Sequence, residues 1–539
     1  MAQVIRQPCD EGVIRSKEAT SACTPNAAPW VLAVTILGSS MAFIDETAVP
    51  VALPAIQEAL GATAVDAQWV VAAYTLFLAA LVLVGGSLGD ILGRRRVFSI
   101  GVALFALASV WCGLSPSPGQ LIVARALQGV GAALLVPNSL AIIGASFEEA
   151  RRGKAIGTWT SLTSVTLILG PVLGGYLAEN VSWRGIFFIN VPLAVVILAI
   201  ARTRVPESRV PEARRIDFPA AALAAVGLGG VVFGLLESRS GLGDPLVLGA
   251  LVIGVVGLAI FLVVESRQRE PMMPLSLFRS RNFAGANAFT LLSYFALYGA
   301  IFFLPFNLIW AQGYSATAAG AAVVPVFLLM AFFSRYTGGF TDHFGVRLPL
   351  VVGPAIAAVG FALFVVPGIG ASYWTTFFPA TVVLGIGLSI LVPALTTVAL
   401  NSVDVRHEGL ASAINNTFSQ MAGLLAVAVL GVLMFVSFGS SLDSRLATLD
   451  LPPEATQQLQ EEKVKLGAAE APENLGPTLN AQVERAIDEA FVSGYRVVML
   501  VATAMALISA ISAALLIKTK KPKGDAEEAQ ADRGETAPA

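Results

Sequence analysis

The sequence predicts an all-α, polytopic membrane protein of fourteen helices: two six-helix blocks with two further helices inserted between them. Three observations predict it. The first is a charge deficit. The 539 residues are 56% hydrophobic but only 13% charged, whereas soluble domains are about a quarter charged. The second is the recurrence, from Trp30 to Ile517, of apolar stretches separated by short polar connectors. Each stretch is about twenty residues, enough to cross a hydrocarbon core of about 30 Å as a helix; a membrane barrel would show weaker, alternating segments. The third is an internal repeat. Gly86-Ser-Leu-Gly-Asp90-Ile-Leu-Gly93-Arg94 recurs as Gly338-Gly-Phe-Thr-Asp342-His-Phe-Gly345-Val-Arg347. Each copy follows the second span of a six-span block, so the blocks are parallel repeats about an axis along the membrane normal.

Taken in order, residues 1–28 form a cytoplasmic segment without a continuous apolar stretch, so no cleavable signal peptide is expected. The first block occupies 29–201, with spans at 29–53, 69–91, 97–115, 119–145, 155–179 and 185–201. Linkers and the inserted spans 217–236 and 245–265 fill 202–282, and they have no counterpart in either block. The second block, 283–517, holds spans at 283–311, 317–340, 349–367, 373–400, 409–438 and 491–517. Its long connector, 439–490, has helix-compatible stretches at Glu454–Leu466 and Leu479–Ala490 and reads as a solvated cap; docking of a partner such as a periplasmic adaptor is the alternative use. Residues 518–539, basic and then acidic and Ala-rich, are expected to form no packed core.

Lys and Arg set the orientation. Arg94–Arg96, Arg151, Arg152, Lys154, the arginines of 202–215, Arg267, Arg269, Arg279, Arg281, Arg347 and Arg406 flank one side, against Arg184 and Arg239 in the short loops opposite. Both termini are therefore expected in the cytoplasm, which requires an even number of spans.

Ionisable groups within a span cost about 2.5–3.5 kcal/mol at helix centres and default to functional hypotheses. Span 1 carries Asp45 and Glu46, and span 4 carries Arg125. Neighbours on a helix point about 100° apart, so the two carboxylates cannot face one spot; Asp45 is the more economical partner for Arg125, and Glu46 competes. Pro50 and Pro54 should loosen span 1 just beyond the pair, by removing N–H donors and crowding the carbonyls four residues back. Proton coupling is weighed against a static ion pair. Gln128, Gly129, Ala132 and Ala133 share the Arg125 face, where small residues admit a close helix.

Span 5 contains Leu169-Gly170-Pro171-Val-Leu-Gly174-Gly175, a small-xxx-small crossing with a proline bend. Span 9 carries Tyr294, Tyr298, Phe302, Phe306 and Trp310 at four-residue spacing, with Asn307 and Gln312 near one end. Such a stripe drifts about 40° per step, and it reads equally as lipid-facing packing or as a substrate wall. The candidate cavity residues are Gln128, Tyr294, Tyr298, Phe302 and Asn307. Trp69 and Trp183 read as interfacial anchors.

Several classes are excluded or unsupported. There is no GxxxxGK[ST] loop for ATP, and the two histidines, His343 and His407, fall in connectors. Cys9, Cys23 and Cys112 form no CxxC motif, so no metal knuckle or disulfide framework is expected. A net charge of −2 gives no signal for nucleic acid.

At these residues the sequence resembles the major facilitator superfamily, and within it the fourteen-span EmrB/QacA-type drug:H+ antiporters, over 29–517. Gly86–Arg96 resembles the superfamily's loop motif, with Gly86, Asp90, Gly93 and Arg94 at its key positions. Asp342, Gly345 and Arg347 form the weaker second copy. Leu121–Ala133 resembles the span 4 arginine motif, and Leu169–Gly175 the antiporter motif. Asp45 and Thr47, followed by Val51-Ala-Leu-Pro54, resemble the span 1 motif. The sequence departs from the pattern at Pro50, where asparagine is usual, and at Thr166, where glycine is usual. The second block also lacks mid-span acids.

The resemblance implies a major facilitator fold in a bacterial inner membrane and alternating access between two bundles. It implies export of a small amphipathic or lipophilic molecule against inward H+, with the proton gradient as energy source and no cofactor. Asp45, Arg125 and Glu46 would be the proton-coupling set. A dedicated exporter of one endogenous metabolite or antibiotic is the alternative; an importer, a membrane enzyme and a sensor fit less well.

Overall fold

The computed structural model describes residues 27–147, 149–209, 217–241, 243–268, 271–333, 345–403, 408–472 and 475–517. Asp342, both histidines, Cys9, Cys23 and the terminal segments 1–26 and 518–539 lie outside them. Among the described residues there is no strand. Among the described residues thirteen helices are long and apolar enough to span a bilayer, and Arg347–Leu363 is a shorter apolar helix at the eleventh expected position.

The first block comprises α1 (Ala28–Leu60), α2 (Ala64–Leu92), α3 (Arg94–Leu114), α4 (Pro118–Ser146), α5 (Glu149–Asn180) and α6 (Gly185–Arg204). The inserted pair is α7 (Phe218–Leu236) and α8 (Pro245–Arg267). The second block comprises α9 (Arg281–Ala311), α10 (Ala316–Phe333), α11 (Arg347–Leu363), α12 (Tyr373–Ala399), α13 (Glu408–Leu446) and α14 (Pro477–Leu516).

Local sequence explains many of the ends. Thr63 and Asp66 form a reciprocal capping box that opens α2, each side chain taking the other's backbone N–H (3.1 and 2.8 Å). Asp217, a span-end acid in the sequence, caps α7 by accepting from the Ala220 N–H at 3.0 Å. Gly61, at φ +58°, closes α1 with a left-handed residue. Helix α1 nevertheless runs unbroken through Pro50 and Pro54; the expected loosening does not end it, because neighbouring helices enclose this stretch and hold its backbone.

In the first block α4 packs against α2 and α3, and α1 against α4, α5 and α6; in the second, α9, α11 and α13 all pack on α14. The bundles meet along two seams, α5 with α10 and α2 with α13. The contacts lie at the end of the molecule that carries the long connector. There a Cβ on Gly175 would come 2.2 Å from the Ala316 carbonyl, and one on Gly431 2.3 Å from the Gln68 amide. Toward the arginine-rich end the same face of α5 is uncovered. Gly157 lies five turns from Gly175, and Gly157, Thr160 and Ser161 are exposed. The structure is thus closed at the connector end and open at the other.

The connector is shorter than expected. Helix α13 extends to Leu446 and α14 begins at Pro477, so the stretch from Leu479 belongs to a span helix. Between them lies a short helix, Pro453–Glu462, followed by a 3-10 turn, Lys463–Ala468. The short helix is largely exposed, but Leu459 on it and Leu466 in the turn are buried against the bundles.

Candidate functional site

Asp45 and Arg125 meet in the interior of the first bundle, both essentially without solvent exposure (0% and 1%). Arg125 Nη1 donates to Asp45 Oδ2. The same Nη1 donates to Gln128 Oε1 (2.7 Å), and Nε donates to the Val70 carbonyl (3.0 Å). Gln128 Nε2 in turn donates to Asp45 Oδ1 at 2.8 Å and to Ser109 Oγ at 3.0 Å, and Ser109 accepts from Asn190 Nδ2 at 3.3 Å. The Cys112 thiol donates to Gln128 Oε1 at 3.6 Å. The guanidinium lies 4.4 Å from the Tyr74 ring centroid and 5.9 Å from that of Phe187. Helices α1, α2, α3, α4 and α6 all contribute. A buried ion pair survives desolvation only where further hydrogen bonds satisfy it, and this pair has them on both sides.

The surroundings of Arg125 also matter for the state in which Asp45 is neutral. The Val70 carbonyl, the Gln128 oxygen and two aromatic faces would still hold the guanidinium if the carboxylate lost its charge. Gln128, expected on a cavity wall, is corrected by this geometry: it is completely buried and both of its amide atoms are engaged in the network. The three-residue offset from Arg125 that put it on the same helical face also brings it to the same carboxylate. Tyr74, Ser109, Phe187 and Asn190 were not singled out from the sequence, and Cys112 was noted there only as part of no metal or disulfide motif. Asn190, an amide within an apolar span, was the one with a legible signal.

Glu46 turns away from this network. It is half-buried between the bundles, where the Tyr298 hydroxyl of α9 donates to its Oε1 at 3.2 Å. The Tyr294 and Tyr298 rings pack at 5.9 Å, and Tyr298 lies over Gly423 of α13. Phe302 is buried further toward the connector end. Asn307 sits in a π-helical turn, Asn307–Ala311, where its Oδ1 accepts from Gln312 at 3.4 Å. The stripe on α9 therefore faces the other bundle rather than lipid at Tyr298, while Asn307 is committed to its own turn.

In the loop motif, Asp90 accepts from Arg94 Nε (2.9 Å) and Nη2 (2.8 Å), and Arg94 Nη1 donates to the Ala141 carbonyl (3.2 Å). Gly93 sits at φ +110°, a conformation open to glycine. Glu207, unnoticed in the sequence, accepts from the Arg95 N–H at 3.0 Å and lies 3.6 Å from both the Arg95 and Arg96 guanidiniums. This ties the loop after α6 to the α2–α3 turn. The close approach belongs to Gly85, not Gly86. A Cβ on Gly85 would fall 1.9 Å from the Ala133 carbonyl, whereas one on Gly86 would meet only Pro137 at 3.7 Å. In the second copy Gly345 has φ +71°, and Arg347 donates to the Ala514 carbonyl.

The span 5 motif forms a three-helix crossing. A Cβ on Gly170 would fall 1.9 Å from Thr47 Oγ1, and one on Gly174 2.5 Å from the Ala48 carbonyl, both on α1. On its other side the Pro171 carbonyl would lie 2.1 Å from a Cβ on Gly320 of α10. The residues next to the acidic pair are thus wedged against the helix that touches the second bundle.

Trp69 is more than an anchor: its Nε1 donates to Glu237 at 3.3 Å, and its ring packs on Phe233. Among the described residues no cluster of three or more His, Cys, Asp or Glu could hold a metal ion.

A sequence profile of the Major Facilitator Superfamily matches residues 35–427. The chain is 32% identical over 486 residues to multidrug resistance protein Stp of Mycobacterium tuberculosis (strain ATCC 25618 / H37Rv), covering 88% of this chain and 89% of that one. It is 32% identical to the tetracenomycin C resistance and export protein of Streptomyces glaucescens, over 92% of this chain and 93% of that one. It is 35% identical to puromycin resistance protein pur8 of Streptomyces alboniger, over 79% and 85%. In fold it resembles a bacterial homolog of the human lysosomal transporter Spinster (TM-score 0.59, 20% identity, 91% and 98% coverage). A POT family transporter gives a TM-score of 0.62 at 13% identity, with 92% and 97% coverage. The chain belongs to the Major Facilitator Superfamily, as a multi-pass membrane transporter related to its multidrug and antibiotic resistance exporters.

Proposed function

We propose that the chain is a proton-coupled exporter of small amphipathic or lipophilic compounds, working by alternating access, with its arginine-rich end and both termini in the cytoplasm of a bacterial cell. The observation that carries this reading is the division of labour between adjacent carboxylates. Asp45 is enclosed with Arg125 inside one bundle, and Glu46 reaches Tyr298 on the other. Protonating Asp45 releases Arg125 onto its neutral partners, frees the Gln128 amide and perturbs α1 at the residue before the inter-bundle contact. The Gly170–Gly174 crossing on α1 and the Pro171–Gly320 contact then carry that perturbation to α10. In a bilayer one proton moving inward per substrate contributes about 2.3 kcal/mol per 100 mV if a net charge crosses. Glu46 and the paired Tyr294 and Tyr298 rings suit recognition of organic cations, through charge and ring faces together.

Purified protein in liposomes, loaded with ethidium and given a pH gradient, tests the reading. Uphill ethidium movement that an uncoupler abolishes is expected, together with its loss in Asp45→Asn despite normal folding. Full gradient-driven movement in that variant would sink the role of Asp45. A second reading, a dedicated exporter of one metabolite or antibiotic, draws support from relatives named for tetracenomycin C and puromycin. Failure to move any dye, with secretion of a single native compound, would favour it.

A further inference from the structure

At the connector end, a ladder of rings lies between the bundles beyond Glu46. Phe302 and Phe306 of α9 pack at 5.5 Å between centroids, Phe306 and Trp310 at 4.8 Å, and Trp310 and Phe491 of α14 at 5.4 Å. Two amides of the first bundle, Gln57 on α1 and Gln68 on α2, face the ladder across a narrow gap of about 10 Å³, which widens only if the bundles part at this end. Gln57 is 2% exposed and its Nε2 donates to the Ala62 carbonyl at 3.3 Å, but its Oε1 has no hydrogen-bond partner. A buried acceptor left unpaired is costly, so it marks a place where a donor is to be supplied. The floor on the α9 side is the π turn Asn307–Ala311, an arrangement frequent at functional sites.

The roof is the connector. Leu466 is 3% exposed, lines the space from above, and holds φ +56°, the one positive φ outside glycine among the described residues. Such backbone persists only where surrounding contacts enforce it. The next residue, Gly467, lies so close to Trp310 and Phe491 that a Cβ would come within 2.6 and 2.9 Å of their rings. Segment 463–468 touches α1 and α2 of one bundle and α9, α13 and α14 of the other. It cannot keep both sets of contacts once the bundles part at this end.

The geometry points to an exit subsite here: a planar aromatic compound bearing N–H or O–H donors stacks on Phe306 and Trp310 and donates to Gln57 Oε1, under Leu466 as a lid that lifts when the bundles separate. The inference rests on the export reading and adds a second binding position to it. A stacked planar ligand fits the ring ladder, and the unpaired amide oxygen sets a preference for donors.

Ethidium, which is planar and carries two amino groups, and tetraphenylphosphonium, a cation without N–H or O–H, separate the possibilities. In liposomes, Gln57→Leu is expected to slow ethidium export about fivefold to tenfold, the scale of one hydrogen bond, and to leave tetraphenylphosphonium export unchanged. Trp310→Leu should slow both. Equal effects of Gln57→Leu on the two cations, or none on either, would overturn the subsite. For the lid, Gln57→Cys in a chain with Cys9, Cys23 and Cys112 replaced by Ser should react with an impermeant thiol reagent added at the connector side. It should react at least several times faster when Leu466→Gly is also present; an unchanged rate overturns the lid. If wild-type protein moves neither cation against its gradient, the export reading itself fails, a result separate from either outcome.

Discussion

The Tyr298 hydroxyl donates to Glu46 across the boundary between the two bundles, 3.2 Å from phenol oxygen to carboxylate, while the preceding residue, Asp45, is held by Arg125 within its own bundle. Two adjacent side chains on α1 thus report to different halves of the molecule.

Removing Glu46's charge separates recognition from coupling. Glu46→Gln is expected to weaken binding of cationic dyes about tenfold, the scale of one charge-assisted contact, while neutral substrates bind and are exported as before. Fluorescence anisotropy with a cationic and a neutral dye reads the difference. Tyr298→Phe should give part of the same loss, and the two substitutions together should be less than additive. Equal losses for neutral and cationic substrates would make Glu46 structural.

Arg125→Ala strands Asp45 without its cation. Breaking a buried pair by deleting one partner costs about 3–5 kcal/mol, so thermal unfolding in detergent should shift sharply downward. Adding Asp45→Asn should recover much of that loss without restoring gradient-driven export. A single variant as stable as the parent would contradict the burial of both groups.

Tyr74 supplies a ring face to Arg125, and that contact matters most when Asp45 is neutral and the guanidinium has lost its anion. Tyr74→Leu is therefore expected to slow gradient-driven export severalfold, with Tyr74→Phe, which keeps the face, staying near the parent. Initial transport rates in liposomes check the order.

Adjacent glycines at the end of α2 make a controlled comparison. Gly85→Ala drives a methyl into the Ala133 carbonyl, whereas Gly86→Ala meets ordinary contact at Pro137. The first should cost about 1–3 kcal/mol through overpacking. The second should be neutral or slightly stabilising, since alanine is the better helix former by about 0.8–1 kcal/mol. Gly174→Ala should behave like Gly85→Ala. Unfolding midpoints of the three variants give the order.

Much of this was legible in the sequence, because spans and their unusual residues are local properties. Hydrophobic length located fourteen helices, and the rarity of charge within them marked Asp45, Glu46 and Arg125. The 100° offset between Asp45 and Glu46 established that they diverge, but not which one meets Arg125, because that depends on the rotation of α1 against α4. The same limit misassigned Gln128 to a cavity and left Gly85 unnoticed beside Gly86. Helical spacing relates residues on one helix; it does not say which neighbour each face meets. Ser109 is a small polar residue that acquires meaning only from the Gln128 amide between it and Asp45, and Glu207 only from the arginines it spans. The connector's length was misjudged for a different reason: its stretch from Leu479 continues a span helix, and the burial of Leu466 depends on rings about 160 residues earlier in the chain.

The inserted pair leaves the two seams unequal. Helix α7 shares one apolar cluster with α2 and α13, in which Leu228 and Val232 lie with Leu76 and Leu424, and so it straddles that joint while α8 packs mainly on α7. The α5–α10 joint has no such cover among the described helices. The α2–α13 joint is therefore covered from the bilayer along its connector-end half, whereas the α5–α10 joint meets the bilayer directly, and the two flanks of the molecule present different surfaces to lipid.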